Sequence, residues 1–204
     1  MIIKDIEKFK GETMCLTLLG KGEAKIYLNR DIAAKYSLSR GMTVTADFIR
    51  SVMRDNDIRR ATERALYLLE YRERSRRELH DKLRSTYNED ICQAVCDRLE
   101  EKGIIDDYAY AEHLTEELSE RRHYGRQRIR QELYRRGIDS ETISDMIRSL
   151  SDDDAAEQIV CLIRQKYADK LAESPDKVKN ALARRGYTYS QIKQAVEAVL
   201  EEEA

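Results

Sequence analysis

One proline, no tryptophan and only two phenylalanines leave this 204-residue chain short of helix breakers and of the bulky rings that fill thick cores. Glycines number eight, and the rest is rich in Leu, Ala, Glu, Arg and Ile, so helix is favoured over most of the length. With 41% hydrophobic against 37% charged residues, several small cores are expected rather than one large one. Long apolar runs are missing: no window approaches a membrane span, and MIIKDIEKFKGE breaks its apolar start with charge, unlike a signal peptide. The cysteines, Cys15, Cys92, Cys96 and Cys161, lack the paired spacing of a disulfide framework. Also missing are a Walker loop, a dinucleotide fingerprint, a nucleophile elbow and a zinc-protease helix. These absences predict a reduced, cytoplasmic, soluble protein, mainly α, that is not an enzyme and needs no cofactor or metal.

What is present is charge, unevenly spread. The net charge is −2, but residues 1 to 50 carry nine basic and six acidic side chains, whereas residues 151 to 204 carry eight and eleven. A protein acting by general attraction to phosphates would be strongly basic overall, so any contact with DNA should be local. The strongest local signal is Arg121 to Ile138, RRHYGRQRIRQELYRRGI, with seven arginines against Glu120 just before it and Glu132 within it. Ile129 and Leu133 lie four apart on one helical face, Gly125 permits a sharp start and Gly137 a stop. The stretch therefore reads as a helix with one apolar side and several arginine-bearing sides.

Residues 1 to 54 read as a small β-rich unit. Strand-like patterns cover Met1 to Phe9, Thr13 to Leu19 and Ala24 to Leu28; Asn29 can cap a short helix through about Tyr36, and Met42 to Val44 is β-prone. From Asp55 the pattern turns helical. Residues 57 to 71 place Ala61, Ala65, Leu66 and Leu69 on one face; Ser75 and Glu78 form a capping box before Leu79 and Leu83; Asn88 caps a helix carrying Cys92, Val95, Cys96 and Leu99 to Gly103.

The pattern then recurs twice. Ala111, Leu114 and Leu118 lead to Ile129 and Leu133, then to Ile143, Met146, Ile147 and Leu150; Ile159, Leu162 and Ile163 lead to Val178 and Leu182, then to Ile192, Val196 and Val199. Leu83, Leu133 and Leu182 are equivalent, 50 and 49 residues apart. The junction RRGI at Arg135 to Ile138 matches RRGY at Arg184 to Tyr187, while the first copy has STY at Ser85 to Tyr87, without glycine. Ser174 and Pro175 start a helix in the favoured order, and Thr188 with Gln191 forms another capping box. The expected division is three three-helix repeats, 55 to 105, 106 to 150 and 151 to 204. Periodicity alone leaves two packings open, an elongated curved stack or a compact bundle.

Taken in order, ALYLLEYRERSRRELHDKL at Ala65 to Leu83, GIIDDYAYAEHL at Gly103 to Leu114 and YGRQRIRQELYRRGI at Tyr124 to Ile138 resemble the RecX family, regulators of the RecA recombinase. The resemblance covers about residues 57 to 200. It implies an array of three three-helix repeats in the groove of a RecA filament on single-stranded DNA. There it would oppose filament extension and lower ATPase, strand exchange and the co-protease activity of the SOS response, thereby regulating DNA recombination and repair. It implies RecA as partner, leaves contact with single-stranded DNA open, and fits a monomer. A helical module that binds DNA without a RecA partner is the alternative.

On charge alone the arginines of 121 to 138 read as a solvated face neutralised by Glu112, Glu116, Glu117 and Glu120. The resemblance makes them a docking set: Arg121, Arg122, Arg126, Arg128, Arg130, Arg135 and Arg136, joined by Arg72, Arg74, Arg76 and Arg77 in the first copy and Arg184 and Arg185 in the third. Charge reversal at Arg126, Arg128 and Arg130 is expected to impair inhibition without changing stability, on the premise that all three are exposed. Tyr124 either stacks on a base or a partner or staples the helix start. Asp106 and Asp107 read as caps, and Cys92 and Cys96 as core.

Overall fold

A computed structural model describes residues 1–202; residues 203–204, the end of the third expected repeat, lie outside the described residues. The chain divides into two compact units, Met1–Arg72 with Leu79–Lys102, and Glu73–Glu78 with the chain from Gly103 onward. Helix dominates, and the only sheet among the described residues is a three-stranded antiparallel one at the N-terminus.

In the first unit β1 (Ile2–Lys10), β2 (Thr13–Leu19) and β3 (Glu23–Asn29) pair in the order β1-β2-β3. Leu16 lies opposite Ile6 on one side and Ile26 on the other, and the strand alternation, shifted in β1 by a bulge between Ile3 and Asp5, puts Ile3, Ile6, Met14, Leu16, Leu18, Ile26 and Leu28 on one face, with Cys15 and Tyr27 on the other. That face, with Ile3, Leu16, Leu18 and Leu28 at its centre, packs on α1 (Arg30–Lys35) and on Ile49 and Val52 of α2 (Ala46–Tyr71). Asn29 caps α1 through its side-chain oxygen, as expected. The run Met42 to Val44 forms no strand; Thr43 makes one isolated bridge to Ile2.

The first long helix starts earlier than the apolar pattern after Asp55 suggests. Thr45 caps it, accepting from the Phe48 N–H, and it runs 26 residues without interruption, straight through the expected boundary between residues 54 and 55. Ala61 and Ala65 are buried as expected, but the third inward position is Leu68, not Leu66, which is exposed. The stripe follows i, i+4, i+7. Helix α2 packs on α4 (Glu89–Glu101), whose Cys92, Val95, Cys96 and Leu99 are buried. Between them α3 (Arg76–Arg84) buries Leu79 and Leu83.

The second unit begins its helices with α5 (Asp107–Glu116), which Asp106 caps by accepting from the Tyr108 and Ala109 N–H groups. A π-helical turn (Glu117–Arg121) prolongs α5, and α6 (Arg126–Arg135) and α7 (Ser140–Ser149) close the set around Ile129, Leu133, Ile143 and Met146. Then follow α8 (Asp152–Lys166), a short α9 (Ala168–Glu173) that the apolar spacing did not announce, α10 (Pro175–Arg184) and α11 (Tyr189–Glu202). Ile159, Leu162, Ile163, Val178, Leu182 and Val196 form the corresponding core.

Candidate partner-docking face

The arginine-rich helix α6 is held at both ends by glycine. Its N-cap, Gly125, is extended (φ −76°, ψ 164°) and offers no side chain. A side chain there would collide: a Cβ on Gly125 would sit 2.5 Å from the carbonyl oxygen of Gly186. The requirement at Gly125 is thus close approach of another backbone, not a special φ. Its N–H donates to the Arg185 carbonyl at 2.8 Å, and that of Gln127 to the Gly186 carbonyl at 3.3 Å. At the other end Gly137 takes φ +81°, and Ile138 donates back to the Leu133 carbonyl, closing the helix in the left-handed manner that favours glycine.

The RRGI junction thereby meets the start of α3, and the RRGY junction meets the start of α6. In the former case the Ser75 hydroxyl donates to the Arg136 carbonyl, while Ser75 and Glu78 complete their capping box (Glu78 N–H to Ser75 Oγ, 3.1 Å). A Cβ on Gly137 would fall 2.5 Å from Arg77 Cβ, and one on Gly186 would fall 2.6 Å from Arg128 Cβ. Arg76 and Arg77 therefore adjoin Arg135 and Arg136, and Arg126 and Arg128 adjoin Arg184 and Arg185. Arg72 belongs to the first unit.

The arginines fall into two classes. Several are committed within the fold. Arg136 donates to the Tyr110 hydroxyl at 2.6 Å and lies 3.6 Å from Glu78. Arg185 donates to the Arg122 carbonyl at 2.7 Å, and Arg126 to the Leu150 carbonyl. Arg128 pairs with Glu132 at 2.8 Å and lies over the Tyr124 ring at 5.6 Å. Arg122 is held by Glu117, whose carboxylate raises the guanidinium pKa further. Of the other class, Arg121, Arg130 and Arg184 are exposed and make no ion pair among the described residues, Arg77 is exposed along Gly137, and Arg135 reaches Glu132 at 3.5 Å from an exposed position. Arg74 and Arg76 are half-buried, and the Arg76 N–H donates to the Asp107 carboxylate at 2.7 Å.

Two expectations are corrected here. Exposure of the trio Arg126, Arg128 and Arg130 holds only at Arg130, because the N-terminus of α6 lies under the next junction. Asp107 does not cap α5; that is Asp106, and Asp107 ties α5 to the start of α3 instead. Tyr124 lies half-buried against the α5–α7 core and under Arg128.

Residues that the pattern did not single out hold this face in place. Tyr110 lies between Glu78 and Arg136, donating to the carboxylate at 3.1 Å; burial first, then the neighbouring carboxylate, push its phenol above the usual range. Tyr187 is 3% exposed, donates to the His123 carbonyl at 3.1 Å, and burial pushes its pKa up to about 12. No local signal predicts partners 26 to 64 positions away. Among the described residues no cluster of His, Cys, Asp or Glu is arranged to hold a metal, and no helix is long and apolar enough to cross a membrane.

Comparison with known proteins places this geometry. Residues 61–99 match the model for the first three-helix domain of RecX and residues 106–147 that for the second. A regulatory protein RecX of Clostridioides difficile is 24% identical over 203 residues, 98% of this chain and 96% of that protein. One from Chlorobium phaeobacteroides is 33% identical over 151 residues, 72% of this chain and 98% of the relative. Among solved structures, one described as regulatory protein RecX superposes with a TM-score of 0.73 over 96% of this chain and 98% of that one, at 20% identity, a likeness of fold. RecX from Lactobacillus salivarius superposes with a TM-score of 0.64, covering 71% of this chain and 97% of that one at 27% identity. Two successive three-helix domains that match the family's models and a relative one-third identical across most of the chain lead to one conclusion: this chain belongs to the RecX family.

Proposed function

We propose that the chain is a non-catalytic modulator of RecA, acting as a cytoplasmic monomer, that lies in the groove of the RecA filament on single-stranded DNA. Bound there it opposes filament extension and so lowers ATPase, strand exchange and co-protease activity, restraining recombination, repair and the SOS response. The observation that carries this reading is the pairwise meeting of basic sets from successive helical sets, which leaves Arg77, Arg121, Arg130, Arg135 and Arg184 pointing outward while Arg126 and Arg185 bond backbone carbonyls and Arg128 and Arg136 pair with the Glu132 and Tyr110 side chains of the frame that presents them. Guanidinium groups on a fixed frame suit carboxylates of a protein lattice and adjacent phosphates. The division into repeats at 55 to 105, 106 to 150 and 151 to 204 is part of the proposal.

The test is RecA ATPase on single-stranded DNA with filament length followed by microscopy. The protein is expected to slow turnover and shorten filaments at modest molar ratios, and joint reversal R121E/R130E/R184E to weaken inhibition about tenfold, as loss of docking charges commonly does. Unaltered ATPase and filament length would remove the reading. Tight DNA binding without RecA, steeply dependent on salt, would favour a DNA-binding module, which the net charge of −2 disfavours.

A further inference from the structure

Beside the basic face, the second unit holds a cleft of opposite character. It is about 590 Å³ in volume, between α5, the π-helical turn, α7 and α8, within the range of ordinary ligand pockets. Glu112, Glu116, Glu120 and Glu157 line it and form no ion pair among the described residues; Asp145, also on its wall, is engaged by Arg148 at 2.9 Å. One cation, Arg126, reaches the cleft, and it donates to the Leu150 carbonyl. Of the acids expected to neutralise the arginine stretch, Glu117 alone is paired with one of its arginines among the described residues.

A second observation points to a ligand. Thr115 lines the same cleft at 5% exposure, and its hydroxyl makes no hydrogen bond among the described residues. A buried hydroxyl left without a partner is costly, whereas one facing a bound donor is satisfied. The helix also departs from α geometry at this point. The Arg122 N–H reaches the Glu117 carbonyl at 3.3 Å in a π turn, which carries Ser119 and Glu120 on the cleft wall. Tyr108, half exposed, adds an aromatic surface to the wall.

We infer that this cleft receives an arginine side chain of a protein partner: carboxylates for the charge, the Thr115 hydroxyl as a buried acceptor, and a tyrosine for the planar cation. The assignment does not depend on the docking role proposed for the exposed arginines. The test is amide NMR on the full chain with three blocked peptides, Gly-Gly-X-Gly-Gly, where X is arginine, lysine or citrulline. The arginine peptide should shift the amides of Thr115, Ser119 and Glu120 saturably, with a Kd on the order of 1 mM. The lysine peptide should bind severalfold more weakly, and the uncharged citrulline peptide not measurably. E116Q/E120Q should weaken arginine binding about tenfold and T115V about threefold, with circular dichroism unchanged. Equal binding of lysine overturns the guanidinium assignment. Equal binding of citrulline, shifts confined to other surfaces, or undiminished binding by both variants overturns the cleft itself.

Discussion

Helices α3 and α6 start in equivalent places, 50 residues apart, under equivalent junctions, yet by different chemistry. At α3 a buried serine caps the helix and its hydroxyl also holds the Arg136 carbonyl of the junction above. At α6 a glycine has no side chain to cap with, and its own N–H holds the Arg185 carbonyl. The serine is accommodated because its oxygen bridges to the junction; the glycine is required because the RRGY turn comes into backbone contact. The same stacking step is thus made once with a side chain and once by removing one. The matching arginines of the two junctions nonetheless keep matching places: Arg135 and Arg184 are exposed, whereas Arg136 and Arg185 are tied to Tyr110 and to the Arg122 carbonyl.

The largest effect should come from filling the tight step. Gly186→Ala places a Cβ at φ +92° against the backbone and Cβ of Arg128, and is expected to cost about 3 kcal/mol or more, read by denaturant unfolding. Gly125→Ser, which copies the start of α3 into α6, should cost about 2 kcal/mol, because the Gly186 carbonyl lies 2.5 Å from the new Cβ. If that serine were neutral, the difference between the two starts would be one of sequence alone. Ser75→Ala removes both a cap and the bridge to Arg136, with an expected cost of about 1–2 kcal/mol.

A fourth prediction concerns pH. Burial raises the Tyr187 phenol to about 12 from an ordinary 10.0, so the folded protein keeps a proton that the unfolded chain gives up. Its contribution to stability is whole below pH about 10 and is lost as pH rises from there through about 12. Tyr187→Phe should flatten that alkaline slope in urea unfolding while costing about 1 kcal/mol at neutral pH through the lost bond to the His123 carbonyl. The smallest effect on stability belongs to Arg130→Glu, within about 0.5 kcal/mol, because the side chain is exposed and makes no ion pair among the described residues. A larger fall at Arg130 would show that the outward class is also structural.

Features encoded within a few residues were legible in the sequence. The caps at Asn29, Asn88 and Asp106 and the boxes at Ser75 with Glu78 and Thr188 with Gln191 recur in the structure because donor and acceptor lie within three residues. The strands were legible through their alternation, and Cys92 and Cys96 lie in the core as read. Leu66 was misplaced because a helix turns 100° per residue: it directly follows the inward Ala65 and is as apolar as Leu68, yet of the three only Ala65 and Leu68 lie on the buried face. The start of α2 carried a usable signal, Thr45 ahead of Phe48, Ile49, Val52 and Met53, but the β-prone run before it masked the change of period. The candidate site was less legible. Composition located the arginines but not their roles, because a carbonyl 24 or 63 residues away leaves no local trace.

The uninterrupted α2 has a consequence for how the first unit opens. Its early turns lie in the sheet's core through Ile49 and Val52, its later turns bury Ala61, Ala65 and Leu68, and Asn56 midway accepts the Asn29 N–H from the end of β3 at 2.9 Å. Fraying the sheet strips one half of a rod whose other half packs on α4. Amides of β2 and α4 should then exchange with solvent through one shared opening, as a single foldon rather than two.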